Sequence, residues 1–367
     1  MLCRSLGLLA ALAVAGCAPE SWAPVPHGPA PTAGRTVASG LLLYLARYVN
    51  GVSSIEVRRS SDGALQRTLW GVNGIDSMAI DREGTLYAFD QRQSQERRFT
   101  RVLEFAAGSV RPDVVIPRDH GSPFTVFVDA DDRLVVPDFI RSTLSFFNRG
   151  GRHPWRVTRA GLCWPWGLAS DGAGHLWVSN ANCPKLHTRG SIVELGDEGT
   201  TVLRTITEGV GIPWRIALDG RGGAYIVTFS STSETINLYS MATGHLVSSK
   251  NVTNDRAGLV DPKSPGADSN GNIYVHYSGC VSSTGYHHCV DAINVYSPGS
   301  VTPSRTLEAG ANGGFGNMAF DHRGNAYVVV GHGGAHPTSE VRVYSDGASK
   351  SRTLLREPGL YEIAVGD

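Results

Sequence analysis

The stretch MAIDREGTLYAFD, Met78 to Asp90, holds an apolar triplet, an Asp-x-x-Gly turn and a second apolar run with an aromatic residue in it. The unit recurs as VFVDADDRLVVPD from Val126, LASDGAGHLWVSN from Leu168, IALDGRGGAYIVT from Ile216, GADSNGNIYVHY from Gly266 and MAFDHRGNAYVVV from Met318. Asp caps a tight turn with its side chain and Gly takes the positive φ the turn requires, so each copy predicts two short paired strands. The spacing of 42 to 53 residues is the length of a four-stranded propeller blade.

Each copy is followed by a third strand signal, such as Val102 to Phe105 or Ile192 to Leu195. Fourth strands often carry Arg-Thr-apolar: Arg204-Thr205-Ile206, Arg305-Thr306-Leu307 and Arg352-Thr353-Leu354. An arginine there blunts an outer sheet edge against pairing with other chains. The two ends of the chain supply a seventh unit. Leu42 to Ala46, Ile55 to Val57 and Arg67-Thr68-Leu69 read as second, third and fourth strands, and Ile363-Ala364-Val365 as the missing innermost one. The expected fold is an all-β, seven-bladed β-propeller over residues 39–367, its ring closed by the C-terminal strand.

In such a blade the entry to the inner strand and the connection between second and third strands share one face, the mouth, while the Asp-x-x-Gly turns lie on the other. The second-to-third connections read as long loops at 91–100, 181–190, 278–291 and 331–339, so the mouth is the expected binding face. Cys163 and Cys183 should meet there in one disulfide and Cys280 and Cys289 in another. The residues two places before each inner-strand apolar position form a ring at the channel mouth: Asp76, Phe124, Trp166, Trp214, Ser264, Gly316 and Tyr361. With Arg215, Asn317 and Glu362 beside them, these residues form a ligand-binding set able to stack a flat ligand or a sugar, or to anchor a protein partner. The same rings can instead be wedges packed between blades. Trp164 and Trp177 read as core. The residues ending the second strands, Asp90, Asp138, Asn180 and Thr228, read as loop caps rather than carboxylate chemistry.

The first sixteen residues, with Arg4 and an apolar run from Leu6 to Ala15, read as a signal peptide. Val14-Ala15-Gly16-Cys17 resembles a bacterial lipobox, which makes Cys17 the lipidated residue. Residues 17–38, with five prolines from Ala18 to Arg35, read as a stiff tether. The expected location is the bacterial cell envelope, with membrane contact only through the lipid anchor. A net charge of zero with scattered lysines and arginines excludes a nucleic-acid footprint.

The Asp-x-x-Gly and Tyr-Val pattern resembles the NHL repeat and its gluconolactonase and virginiamycin B lyase relatives across residues 40–367. The lactonase resemblance implies a channel metal held by Glu, Asn and Asp. The inner segments here are mostly apolar, leaving Asp76, Asn317 and Glu362 at the mouth for a shallower site. The lyase resemblance implies a histidine base, for which His120, His276, His332 and His336 are the candidates, His276 foremost; a buried structural role is the alternative. His287-His288 lacks a paired carboxylate, and no nucleophile elbow or phosphate loop is present. The expectation is a binding module for a protein, peptide or glycan with no cofactor. The alternative is a propeller-type lyase or lactonase using a divalent metal near the channel mouth.

Overall fold

Asp81, Asp129, Asp171, Asp219, Asp268 and Asp321 each accept two backbone N–H groups through one carboxylate oxygen, from the residues two and four places on. The turn glycines Gly84, Gly174, Gly222, Gly271 and Gly324 all have φ near +80° to +99°. In the second copy Asp132 stands in that position at φ 60° and accepts the Arg82 guanidinium at 2.9 Å. Aspartate tolerates the left-handed region better than most side chains, and an ion pair from the neighbouring blade holds it there.

In a computed structural model of seven four-stranded antiparallel sheets, these six turns join the inner and second strands of six of them. The structure describes residues 40–93, 98–118, 125–171, 173–181, 190–229, 234–251, 266–283, 286–309, 313–332 and 338–366. The inner strands are Ile75–Ile80, Phe127–Val128, Pro165–Ser170, Ile212–Leu218, Gly266–Ala267, Gly313–Phe320 and Leu360–Gly366, for blades 1 to 7. The last of them pairs antiparallel with Leu42–Val49, from Leu42↔Gly366 to Ala46↔Glu362. The protein is therefore a seven-bladed β-propeller, and blade 7 is the composite of both chain ends. Leu42 begins the second strand of that blade, so the chain enters the propeller on the turn face.

Seven apolar clusters fill seven interfaces, one between each pair of consecutive blades. Leu360, Ile363 and Val365 pack in one of them against Val341 and Val343 of blade 6, while Ala364 packs in the next against Leu86 and Ala88 of blade 1. The second-strand aromatics Tyr87, Trp177, Tyr225 and Tyr274 are fully buried between blades. Tyr274 and Tyr327 each donate a hydroxyl hydrogen bond to the turn aspartate of their own blade. A buried ring thus has its polar tip satisfied.

Two expectations change. The connections at 91–100 and 278–291 are largely not loops. The ladder runs on to Gln93↔Arg98 in blade 1 and Ser283↔Tyr286 in blade 5. Continued pairing satisfies the facing backbone groups that a loop would leave to water. The Arg-Thr arginines do more than occupy an edge. Arg204 donates to the carbonyls of Met241 and Ala242 in the next blade, and Arg305 donates to the Tyr274 hydroxyl at 2.9 Å. No helix among the described residues is long and apolar enough to cross a membrane.

Candidate functional site

The residues aligned at the channel mouth share a backbone cause. Register shifts lie between Ile75 and Ser77 in blade 1, Pro165 and Gly167 in blade 3, Pro213 and Ile216 in blade 4, and Phe315 and Met318 in blade 6. A fifth lies opposite the Leu360–Glu362 segment in blade 7. The unpaired residues are Asp76, Trp166, Trp214 with Arg215, Gly316 with Asn317, and Tyr361. A β-bulge re-aims side chains at the end of a strand, and here five of them do so at one end of one channel. Phe124 and Ser264 of the same ring lie outside the described residues.

The bulges of blades 3 and 4 are tied together. The Ser179 hydroxyl accepts the Gly167 N–H at 2.9 Å and donates to the Trp214 carbonyl. A side chain at Gly167 would stand 2.6 Å from the Arg215 Cα, so only glycine lets the two inner strands come this close.

The channel encloses a cavity of about 380 Å³ lined by inner strands of all seven blades, with Asp76, Arg215, Asn317 and Glu362 as its charged and amide groups. They are unevenly placed. Asn317, Glu362 and Asp76 come from the consecutive blades 6, 7 and 1, whereas Arg215 reaches in from blade 4 on the far side. Asn317 donates its amide N–H to Glu362. Burial raises the Glu362 carboxyl to about 8, against the opposing pull of the Arg215 charge. Burial likewise lowers the Arg215 guanidinium, with Glu362 acting in the other direction. Asp76 sits at the exposed rim, where it accepts the Gln91 amide. Loss of water on its cavity side, with the Asp90 charge behind it, raises it to about 6. Among the described residues no hydrogen bond or ion pair within 4 Å engages the Arg215 guanidinium.

The aromatic ring divides between two roles. Tyr361 is a wedge: it packs in the cluster joining blades 7 and 1, and its hydroxyl accepts the Ile75 N–H at 2.9 Å. Trp166 and Trp214 meet edge to face at 4.8 Å, and Phe139 joins them at 5.4 Å from Trp166 and 5.0 Å from Trp164. Trp177 is core, as expected, but Trp164 is not. It is 41 % exposed at φ 53°, held beyond the end of the strand by N–H bonding to the Ser142 hydroxyl at 3.1 Å. Phe139, Ile140 and Ile212 complete this apolar rim; their only sequence signal is position beside a second-strand end or a bulge.

The remaining candidates fall away from the channel. His276 is 1 % exposed between blades 5 and 6, edge-on to Phe315 at 5.9 Å, with Nε2 against Asp291. That burial makes it a packed structural histidine, not a base facing the cavity. His332 donates to Glu340 at 3.0 Å, and this buried carboxylate also takes Arg342, Arg356 and Thr353. Burial opposes ionisation there, yet Arg356, His332 and Arg342 hold the carboxyl down at about 2. His120 and His336 lie outside the described residues. Asp90 accepts the Asn73 and Gly74 N–H groups and the Arg101 guanidinium, Asp138 accepts the Arg141 N–H, and Asn180 accepts the Cys163 N–H. These are caps, as expected.

Cys163 carries a free thiol; its expected partner Cys183 lies outside the described residues. Cys280 and Cys289 are directly opposed in the blade 5 hairpin. Asp171, His175 and Glu194 approach one another on the turn face. His175 there occupies the place from which Arg133, Asn272 and Asn325 satisfy the turn aspartates of other blades. It completes a turn.

No family model matches the chain, and no curated protein matches it in sequence. The similarity is to solved structures. A putative 6-phosphogluconolactonase from Bacteroides uniformis superposes with a TM-score of 0.61 at 13% identity, covering 89% of this chain and 99% of that one. Another from Bacteroides fragilis gives 0.58 at 12% identity, covering 91% and 100%. Hydrazine synthase from Kuenenia stuttgartiensis gives 0.58 at 15% identity, covering 75% and 78%. These likenesses are of fold, and a propeller carries unrelated activities.

Proposed function

We propose that the protein is an envelope-anchored recognition module, lipidated at Cys17, that takes a small ligand or the end of a glycan at the mouth of its central channel. The observation that carries this reading is the set of β-bulges that turns Asp76, Arg215 and Asn317 into one cavity, with Trp166 and Trp214 at its rim. A volume of about 380 Å³ falls at the small end of ligand pockets, roughly 300–1,000 Å³. It suits a small molecule or a chain end and not a folded partner. The test is titration of a panel of oligosaccharides and short peptides against intrinsic tryptophan fluorescence. A ligand-dependent change that is lost in Trp166→Ala and Trp214→Ala supports the site; a change unaltered by both substitutions removes it.

A second reading is catalytic, in line with two of the structural neighbours, which are putative 6-phosphogluconolactonases. It is favoured by two carboxyls of different protonation in one cavity, Glu362 near 8 and Asp76 near 6, a pattern suited to general acid–base chemistry. A divalent metal on Asp76, Asn317 and Glu362 does not fit this cavity. The amide of Asn317 turns its N–H, not its oxygen, to Glu362, and the positive guanidinium of Arg215 across the channel would repel a cation. Hydrolysis of simple sugar lactones above the buffer rate, abolished by Glu362→Gln, would establish the catalytic reading.

A further inference from the structure

The cavity is electrically lopsided. Its carboxyl and amide groups lie on blades 6, 7 and 1, and its one guanidinium lies across the channel on blade 4. Arg215 is partly buried at the cavity wall, and a guanidinium withdrawn from water even in part ordinarily finds hydrogen-bonding partners for its N–H donors. That of Arg215 has none among the described residues. Within the cavity its nearest compensating charge is Glu362, whose proton affinity is raised and whose carboxylate is shared with Asn317. Each turn aspartate and the buried Glu340 show how this protein treats charges that serve only the fold: it surrounds them with donors. Arg215 is instead held in place through its backbone. Its neighbour Trp214 is fixed by Ser179, its Cα is packed on Gly167, and its head is left facing the cavity.

We infer that the channel ligand is a sugar acid whose carboxylate binds Arg215 while its hydroxyl groups donate to Asp76 and Glu362 on the opposite wall. This rests on the mouth-binding reading above and names the ligand class. A planar guanidinium recognises a carboxylate through two parallel N–H bonds. Hydroxyls suit the facing wall because they can donate to an ionised carboxylate and exchange hydrogen bonds with a protonated one. Trp166 and Trp214, partly exposed beside Gly167 and Arg215, place indole rings next to this wall, and indole is a surface on which a sugar ring packs. A simple anion such as phosphate would use Arg215 alone and leave the acidic wall unmatched. A neutral sugar would leave the guanidinium unmatched.

The experiment compares D-galacturonate and D-glucuronate with D-galactose and D-glucose, and with inorganic phosphate. The readouts are tryptophan fluorescence and saturation-transfer NMR on the full-length mature protein at pH 7 and low salt. The expected result is binding of at least one sugar acid at least tenfold tighter than its neutral counterpart and tighter than phosphate. Arg215→Met should abolish that preference while leaving the melting temperature and any weak neutral-sugar signal in place. Arg215→Lys, which keeps the charge but not the fork, should retain part of it. Equal binding of charged and neutral sugars, or a preference that survives Arg215→Met, overturns the inference. So does failure of every sugar acid to bind at 20-fold the concentration that detects any other probe. Binding of a neutral sugar that is lost in Trp166→Ala and indifferent to Arg215 leaves the mouth site standing and removes only the acid. A phosphate preference makes Arg215 a bare anion site. Silence from every probe, charged or neutral, removes both readings.

Discussion

Glu362 should make the propeller lose stability as the pH rises through neutrality, and Glu362→Gln should remove that loss. Glu362 is 8 % exposed, and burial raises the proton affinity of its carboxyl from an ordinary 4.5 to about 8. A carboxyl whose folded pKa lies above its unfolded one is more protonated folded than unfolded throughout that window. Folding therefore binds a proton, and its free energy weakens from about pH 4.5 until the folded group has ionised above about pH 8. At 1.36 kcal/mol per unit, the shift corresponds to about 5 kcal/mol, and half of that would still be measurable. Glutamine keeps the shape and can still accept from Asn317, so it imitates the protonated form at every pH. Urea unfolding of both proteins at pH 4, 5, 6, 7, 8 and 9 isolates the group, because other titrations, including the depressed Glu340, cancel in the difference. The two proteins should be nearly equal at pH 4, and the variant should be several kcal/mol more stable at pH 8 to 9. Parallel profiles across the whole range would refute the claim that this carboxyl is desolvated.

Deleting residues 360–367 should open the ring. Leu360 and Ile363 alone are worth about 2 kcal/mol each in buried area, and the Leu42–Val49 edge is left unpaired, so a truncated protein that melts like the intact one would contradict closure. Gly271 and Gly299 both have φ +79°, but a Cβ on Gly271 would stand 2.1 Å from the Asp219 carbonyl of the neighbouring blade, while one on Gly299 would meet nothing within 4 Å. Gly299→Ala should cost about 1 to 2 kcal/mol for the left-handed backbone, and Gly271→Ala markedly more, as read by chemical denaturation; equal costs would mean the blades do not abut there. Cys280 and Cys289 should be recovered linked in non-reducing peptide mapping, and reduction should lower the stability by about 2 to 3 kcal/mol. Cys17→Ala should move the protein from the membrane fraction to the soluble one; continued membrane association would locate the anchor elsewhere.

The blade count was legible because its marks are local. A turn aspartate and its glycine act within five residues, so the motif survives in plain sequence wherever the strands around it vary. Blade 7 was legible for the same reason, once its three N-terminal strands were seen to lack a first. The mouth was legible only as an alignment of positions. A bulge consumes one or two extra residues without any residue type of its own, so nothing in Trp214-Arg215 or Gly316-Asn317 announces that the backbone leaves the ladder there. His276 drew notice as a histidine near a strand end, and only packing against Phe315 shows that it faces another blade. Trp164 misled in the opposite direction: its composition reads as core, but the strand begins one residue later and leaves the indole outside. The charge asymmetry between Arg215 and the wall across the channel joins residues more than a hundred positions apart, and no local pattern records it.

Among the described residues the first strand begins at Leu42, on the turn face, and the cavity opens at the other end of the channel. An attachment made through the residues before Leu42 would therefore join the propeller at its turn face, leaving the bulged rim at the far end of the channel clear of the junction for a ligand arriving from solution.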